Sequence, residues 1–329
     1  MRFFARRIGF YVVALWAALT INFLIPHLMP GNPVQLLISR FHGQLAEAAV
    51  RGLEKTFGLH TNQSLVAQYW GYLEQLAHGN LGLSITYFPA SVSSELRASL
   101  PWTIGMVGTA TVVSFLLGTL AGIFAGWRRG SRTVDAIVPV STFLSSVPYF
   151  WMGLLALTVF GVSLRWFPLA GGSSQGIPVG FDPAFIGSVL YHAILPAATI
   201  IVSSAGGWLL VMRNMTVTTM SEDYITVAVA KGLTERRIMF AYAARNAILP
   251  SLSSFALSLG FIVSGAIVTE IVFSYPGVGY ILFNAVGNDD YPLMQGIFLV
   301  ITLAVLVANL LADVLYAALD PRIRQGVTS

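Results

Sequence analysis

Long apolar runs dominate this chain and restrict its fold more than any other feature. Six stretches of about 20 or more residues are almost free of charge, and a helix needs about 20 apolar residues to cross a bilayer. We therefore predict an all-α, polytopic membrane protein with six transmembrane helices. The predicted spans are residues 8–28, 101–127, 136–164, 191–212, 248–269 and 293–315.

The composition is typical of a chain embedded in a lipid bilayer. Only 10% of the 329 residues are charged, whereas a soluble domain carries about 25%. Cysteine is absent, which excludes a disulfide framework, a thiol nucleophile and a cysteine-based metal site. The five histidines are scattered, so no metal site is expected. The net charge of +4 comes from basic residues in the short loops between apolar runs. We therefore interpret these residues as topology signals beside the lipid bilayer, and we expect no nucleic-acid partner.

The distribution of basic residues predicts the orientation. The N-terminus, the loops after the second and fourth spans, and the C-terminus together hold 13 of the 18 lysines and arginines. Cytoplasmic loops carry this excess, so we predict that both termini are cytoplasmic. A basic start followed by an apolar run also describes a cleaved signal peptide. We interpret residues 8–28 as an uncleaved span because the run is long and no small-residue cleavage site precedes its proline-rich end.

Four regions follow from this topology. Residues 1–30 form the N-terminal tip and first span, 31–97 an extracytoplasmic helical region, 98–318 the membrane core, and 319–329 a cytoplasmic tail. Two helical stripes occur in the second region, and a turn at residues 78–82 closes the second stripe. The stripes are Leu45, Ala49, Leu53 and Phe57, then Leu65, Tyr69, Tyr72 and Leu76. This region is either a cap on the membrane core or a platform for an external partner. Residues 273–291 are predicted to form a re-entrant turn or short helix.

The most informative segment is the loop after the fourth span, residues 213–247. We predict that Ser221 caps a short helix with acidic residues in its first turn, and that Gly232 ends this helix. Thr234 then caps a second helix, which runs to Pro250 and into the fifth span. A short cytoplasmic helix, a glycine turn and a helix continuous with the bundle could transmit movement from a cytoplasmic partner.

This loop resembles the signature loop of binding-protein-dependent ABC importer permeases, above all their dipeptide and oligopeptide branch, whose pattern is D-Y-x-x-x-A-x-A-K-G-L followed by R-N-A-x-x-P. The matching residues are Asp223, Tyr224, Ala228, Ala230, Lys231, Gly232, Leu233, Arg245, Asn246, Ala247 and Pro250. The wider family's Glu-Ala-Ala start is absent, which is usual for the peptide branch. The segments 319–323 (L-D-P-R-I), 273–279 and 79–84 also resemble motifs of that branch.

The resemblance implies a type I importer permease architecture with an extracytoplasmic helical insertion. It also implies that the chain is the first of two permease subunits and that it forms half of a translocation path for di- or oligopeptides. The implied partners are a homologous second permease, two ABC ATPase subunits that hold ATP and Mg, and an extracytoplasmic substrate-binding protein. No cofactor is expected in this chain itself. The implied location is a bacterial or archaeal plasma (inner) membrane.

The resemblance also implies which residues couple to the ATPase, within residues 221–247. They are Asp223, Tyr224, Ile225, Ala228, Val229, Ala230, Lys231, Gly232, Leu233, Arg236, Arg237 and Arg245. Ile225, Ala228 and Val229 are expected to bury in a groove of the ATPase subunit. Lys231, Arg236 and Arg237 are expected to form ion pairs at the rim of that groove.

No phosphate-binding loop of the Gly-x-x-x-x-Gly-Lys-[Ser/Thr] type occurs in the sequence, so we expect no enzyme and no catalytic residue in this chain. Small and polar residues of the spans are candidates for the substrate path, or else for helix packing. They are Ser145, Ser146, Ser203, Ser204, Ser264, Glu270 and Asn309. Glu270 could instead contact the binding protein or lie in a local hydrogen-bond network.

Two other functions stay open. The same machinery could import oligosaccharides or nickel, because such permeases resemble one another while they carry different cargo. An ion-coupled secondary transporter is an alternative of another class. It is disfavoured because no ionisable residue lies near the middle of a predicted span.

Overall fold

The computed structural model describes the backbone of residues 2–28 and 64–319, and it describes side chains there except at 2–8, 26–27, 264–265 and 315–319. Within these ranges the regular elements are helices, with one isolated β-bridge between Leu83 and Ser91. The all-α prediction is therefore confirmed for the described part of the chain. The stripe Leu45, Ala49, Leu53 and Phe57 and the segment 320–323 lie outside it.

The helices, in chain order, are α1 (Arg2–Leu28), α2 (Leu65–Ala77), α3 (Val92–Thr103), π1 (Ile104–Gly108), α4 (Thr109–Trp127), α5 (Arg132–Ser146), α6 (Tyr149–Ala156), π2 (Leu157–Ser163), α7 (Pro183–Thr219), α8 (Asp223–Ala230), α9 (Glu235–Arg237), π3 (Ile238–Ala244), α10 (Arg245–Gly260), α11 (Ile262–Gly265), α12 (Ile267–Val272), α13 (Val278–Gly287) and α14 (Tyr291–Leu319). They form two compact units. The first contains residues 1–103 and 276–307, and the second contains 104–275 and 308–329.

Several helices are long and apolar enough to cross a membrane, which confirms the multi-pass prediction. Among the described residues these are Val92–Trp127, Pro183–Thr219 and Tyr291–Val314, with lengths of 36, 37 and 24 residues. The pair Arg132–Ser146 and Tyr149–Ser163 adds a fourth span if the two are counted together. Gly9–Ile25 and Val278–Gly287 are apolar but shorter. The number of six spans stays a prediction.

Two predicted spans are broken rather than continuous. In 136–164 the chain bends by 95° between α5 and α6. Pro148 causes this bend, because it forces the preceding Val147 into an extended conformation (ψ 125°) and lacks an amide proton. In 248–269 the helix is interrupted at Phe261 and Ala266, each of which follows a glycine, a weak helix former.

In the first unit, α2 packs on α1 through aromatic side chains. Phe23 lies between the rings of Tyr69 and Tyr72, with centroid distances of 5.3 and 5.6 Å. Burial raises the pKa of Tyr72 to about 12, against a smaller lowering effect of its hydrogen bond from Asn22. The predicted helix at 65–76 is confirmed, and so is the turn that follows it, where Gly79 has φ +71°.

A buried carboxylate organises the other end of the first unit. Asp290 is fully buried, and its Oδ1 accepts a hydrogen bond from the Leu293 amide at 3.1 Å, as a helix-capping residue does. Its Oδ2 accepts hydrogen bonds from the Thr86 amide at 2.8 Å and from the Ser84 hydroxyl. Asp290 therefore joins the start of α14 to the loop before α3.

The second unit is built on close contact between α4 and α7. Gly118, Gly122 and Gly126 recur every four residues, so they share one face of α4. A Cβ atom on Gly122 would lie 2.6 Å from the Leu209 carbonyl oxygen, and one on Gly126 would lie 2.7 Å from Cβ of Thr216. Glycine is required along this face because the two backbones touch.

We expect Gly122→Ala to lower the thermal unfolding midpoint of the purified chain in detergent. The added methyl group would overlap the α7 backbone, and such overpacking costs about 1–3 kcal/mol. Gly207→Ala is the matched control, because a Cβ there meets no atom within 4 Å. It should leave the midpoint unchanged or raise it through helix propensity. Equal midpoints for both variants would contradict the close contact.

Candidate functional site

The short helix α8 begins one residue later than predicted. Its N-cap is Glu222, which has extended backbone angles (φ −77°, ψ 144°) and makes no capping hydrogen bond with its side chain. Ser221 was expected in this role, but its hydroxyl donates instead to the Thr218 carbonyl at 2.7 Å, at the end of α7. Asp223 does lie in the first turn of α8, where a negative charge interacts favourably with the helix dipole.

Gly232 ends α8, as predicted. Its φ of +72° lies in the left-handed region, where residues with a Cβ atom are strained. The Gly232 amide donates to the Val229 carbonyl at 2.9 Å, and the Leu233 amide donates to the Ala228 carbonyl at 3.3 Å. This pair of bonds is the Schellman pattern of a helix that stops at a glycine.

The chain then enters a second helix that continues past Pro250, as predicted. Thr234 is its N-cap by backbone conformation, although its side chain makes no capping bond. Helical structure runs without interruption through α9, π3 and α10 to Gly260. The π-helical segment Ile238–Ala244 was not predicted, since no sequence pattern distinguishes i→i+5 from i→i+4 hydrogen bonding. Such segments occur frequently at functional sites.

Two of the three side chains expected to bury in the ATPase are already buried in this chain. Ile225 and Ala228 are 5% and 3% exposed, in a cluster with Ile238 and Ala243 of π3. The partly buried side chains around this cluster are Trp127, Leu233 and Tyr242. This face of α8 therefore fixes the helix to π3 and is not available to a partner.

A hydrogen bond adds a second connection between α8 and the helix that follows. The Asn246 side-chain amide donates to the Tyr224 hydroxyl at 3.1 Å and to the Tyr242 carbonyl at 3.1 Å. Tyr224 lies in the first turn of α8 and Asn246 in the first turn of α10. The start of α8 is thus attached to α10.

Three apolar or aromatic side chains of α8 are exposed, and they lie on different sides of the helix. Val227 and Val229 are 51% and 60% exposed, and Tyr224 is 37% exposed. The charged and small candidate residues of this segment are also exposed: Asp223, Ala230, Lys231, Arg236, Arg237 and Arg245. Exposed apolar side chains together with an excess of basic ones are suited to a protein partner with apolar and acidic groups.

Three of the candidate path residues lie close to the bend between α5 and α6. Ser145 and Ser146 both donate to the Thr142 carbonyl in their own helix, at 3.1 and 2.8 Å. Ser203 is buried and donates to the Val147 carbonyl at 3.1 Å, which satisfies a carbonyl at the bend between α5 and α6. These three contacts are typical of helix packing.

The remaining candidates are Ser204, Ser264, Glu270 and Asn309. Ser204 lines a cavity of about 300 Å³ in the second unit. Asn309 is half-buried in α14, and Ser264 lies in α11 at a position whose side chain is not described. Glu270 is 1% exposed, and its burial favours a local interaction over contact with an external protein.

Asp290 is a buried carboxylate that the sequence reasoning missed. The signal that could have found it is an acidic residue directly before a long apolar helix, the usual place for an N-cap. Among the described residues, no group of three or more His, Asp or Glu side chains is arranged to hold a metal ion.

Comparison with known proteins gives a consistent result. Residues 118–325 match the family described as the binding-protein-dependent transport system inner membrane component. The chain is 35% identical to the di/tripeptide transport system permease protein DppB of Pseudomonas aeruginosa, over 98% of this chain and 99% of that protein. It is 30% identical to the oligopeptide transport system permease protein AppB of Bacillus subtilis, over 92% and 93%. It is 32% identical to the glutathione transport system permease protein GsiC of Escherichia coli, over 98% and 99%.

We expect Tyr224→Phe to loosen α8. The variant loses one hydrogen bond, worth about 0.5–1.5 kcal/mol, so amides of residues 225–230 should exchange about two- to tenfold faster. Hydrogen exchange measured by mass spectrometry checks this. Tyr242→Phe is the control, because the Tyr242 hydroxyl forms no hydrogen bond in the described structure while its ring packs on the same cluster. Equal exchange in both variants and the wild type would refute the connection.

Proposed function

The chain belongs to the family of binding-protein-dependent transport system inner membrane components, and from this premise we propose that it is a permease subunit of an ATP-driven peptide importer. It forms half of the translocation path, and a homologous second permease forms the other half. The relatives named above carry di/tripeptides, oligopeptides and glutathione, which are all peptides. This shared chemistry supports a di- or oligopeptide cargo over oligosaccharides or nickel.

The arrangement of α8 is the observation that carries the coupling part of this proposal. Ile225 and Ala228 fix one face of α8 to π3, whereas Val227 and Val229 are exposed on different sides of the helix. An ATPase subunit that binds the exposed side chains would therefore move α8 together with the helix that follows. The expected docking residues are Val227, which replaces Ile225 and Ala228 in this role, together with Val229, Lys231, Arg236 and Arg237.

The ATPases supply the chemistry that this chain lacks. No phosphate-binding loop occurs in its sequence, so ATP and Mg²⁺ bind to the partner subunits. The basic residues concentrated around α8 support a cytoplasmic position for it by the positive-inside rule. The proposed topology has six spans in the plasma (inner) membrane, with both termini in the cytoplasm. A substrate-binding protein then delivers cargo to the opposite, extracytoplasmic side.

The proposal is tested by purifying the tagged chain from its native membrane and identifying the proteins that accompany it. A second permease and P-loop ATPases should be retained, and the complex should show ATP hydrolysis stimulated by the loaded binding protein. A chain that purifies alone, and transports alone under an ion gradient, would contradict the importer and favour a secondary transporter.

Gly232→Pro should abolish the stimulated ATP hydrolysis. Proline fixes φ near −65°, so it cannot adopt the φ of +72° found here. Gly232→Asn is the matched control, because asparagine tolerates the left-handed conformation and a Cβ at this position meets no atom within 4 Å. Asparagine should therefore retain most of the stimulation. Stimulation that survives in the proline variant would refute the role of this turn.

A further inference from the structure

Four irregularities in three of the predicted spans lie at one cavity in the second unit. The cavity has a volume of about 300 Å³. It is lined by Val107 from the π-helical segment π1, by Tyr149 at the 95° bend, and by Phe261 and Ala266 at the two breaks after α10. Each interruption lies within an apolar stretch, where regular helix is otherwise the rule.

Irregular backbone within an apolar span requires an explanation. Non-helical backbone at membrane depth is tolerated where it lines a cavity or is buried in protein, because its polar groups must find partners there. In transporters, substrate sites near the middle of the bilayer are formed by such discontinuous helices. Ser204, which also lines the cavity, lies near the middle of the 37-residue helix α7, so the cavity has the depth expected of such a site.

The walls of the cavity are uncharged. Trp208 contributes a ring held edge-on to Phe115, with a centroid distance of 5.2 Å. Three lining hydroxyls donate to carbonyls of their own helices, at 2.7–2.9 Å: Thr111 to Val107, Ser114 to Thr111, and Ser258 to Phe255. The protons of these hydroxyls are thus already used. The other polar groups of the lining side chains are the hydroxyls of Ser204 and Tyr149 and the indole N–H of Trp208, and the rest of the lining side chains are apolar.

This lining excludes a charged group and suits an apolar one. An ion moved from water into an uncharged cavity loses its hydration without compensation, whereas an apolar group gains from the same transfer. The volume is at the lower end of the about 300–1,000 Å³ that small-molecule pockets occupy. It is appropriate for a single large side chain rather than for a whole peptide with its charged ends.

We propose that this cavity receives an apolar side chain of the transported peptide, while the charged ends of the peptide stay outside it. The inference rests on the proposed function and adds a substrate preference to it. It assigns a specificity-determining site to the interior of this one chain. The lining residues whose side chains can be enlarged to fill the site are Ser258 of α10 and Ser204 of α7.

The test compares two serines of α10 that are one helical turn apart. Ser258 lines the cavity, whereas Ser254 is exposed and does not. The assembled transporter with its ATPases and binding protein is reconstituted in liposomes, and ATP-dependent uptake of triglycine and of trileucine is measured. The binding protein is the same throughout, so a change in the ratio of the two uptake rates arises in the permease.

Ser258→Phe should lower the ratio of trileucine to triglycine uptake by about tenfold or more, because a filled hydrophobic pocket discriminates by at least that factor between large and small groups. Ser204→Phe, which fills the cavity from α7, should lower the ratio in the same direction. Ser254→Phe should leave the ratio at the wild-type value.

An unchanged ratio in both cavity variants would overturn the inference. An equal fall in the uptake of both peptides would also overturn it, since that result indicates a cavity filled by a lipid chain or needed only for packing. If the wild-type complex takes up neither peptide in an ATP-dependent manner, the proposed function itself fails. The two failures are therefore distinguishable.

Discussion

Three glycines of α4 lie directly against the backbone of α7, and the rest of the second unit is arranged around this contact. The last of them, Gly126, is followed by Trp127, which packs both on the cluster containing Met212 and on the cluster that holds α8. Because α4 and α7 approach closely, the ring of Trp127 is held in place, and this ring contributes to the position of α8. A residue with a side chain at Gly122 would disturb the same series of contacts, because the backbones would have to separate.

The arrangement of α8 explains how a helix of eight residues can hold a defined position. A helix this short is unstable alone, so its stability has to come from packing. Ile225 and Ala228 provide this packing against π3, and the Tyr224–Asn246 hydrogen bond attaches its first turn to α10. Gly232 allows the sharp reversal between the two helices. The exposed apolar side chains are then left for the proposed ATPase partner.

The sequence predicted the features that depend on local chemistry. Apolar runs identified several long apolar helices, and Gly232 identified the end of α8, because left-handed backbone favours glycine. Features that depend on tertiary contacts were missed or misassigned. The spacing of apolar residues along a helix indicates which face is buried. It does not indicate whether that face packs on the same chain or on a partner. Ile225 and Ala228 were therefore assigned to the ATPase, although they pack on π3. The role of Asp290 likewise depends on Ser84 and Thr86, which are distant in sequence.

The central claim is that α8 moves as one body with the helix that enters the membrane core. The chain contains no cysteine, so spin labels can be placed at two introduced cysteines, Thr226→Cys on α8 and Ser254→Cys on α10, both exposed. The distance between them is measured by pulsed electron resonance in an otherwise cysteine-free complex, without nucleotide and with ATP. The account predicts one narrow distance that is the same in both states. A second population or a shift of the main distance on ATP binding would contradict it.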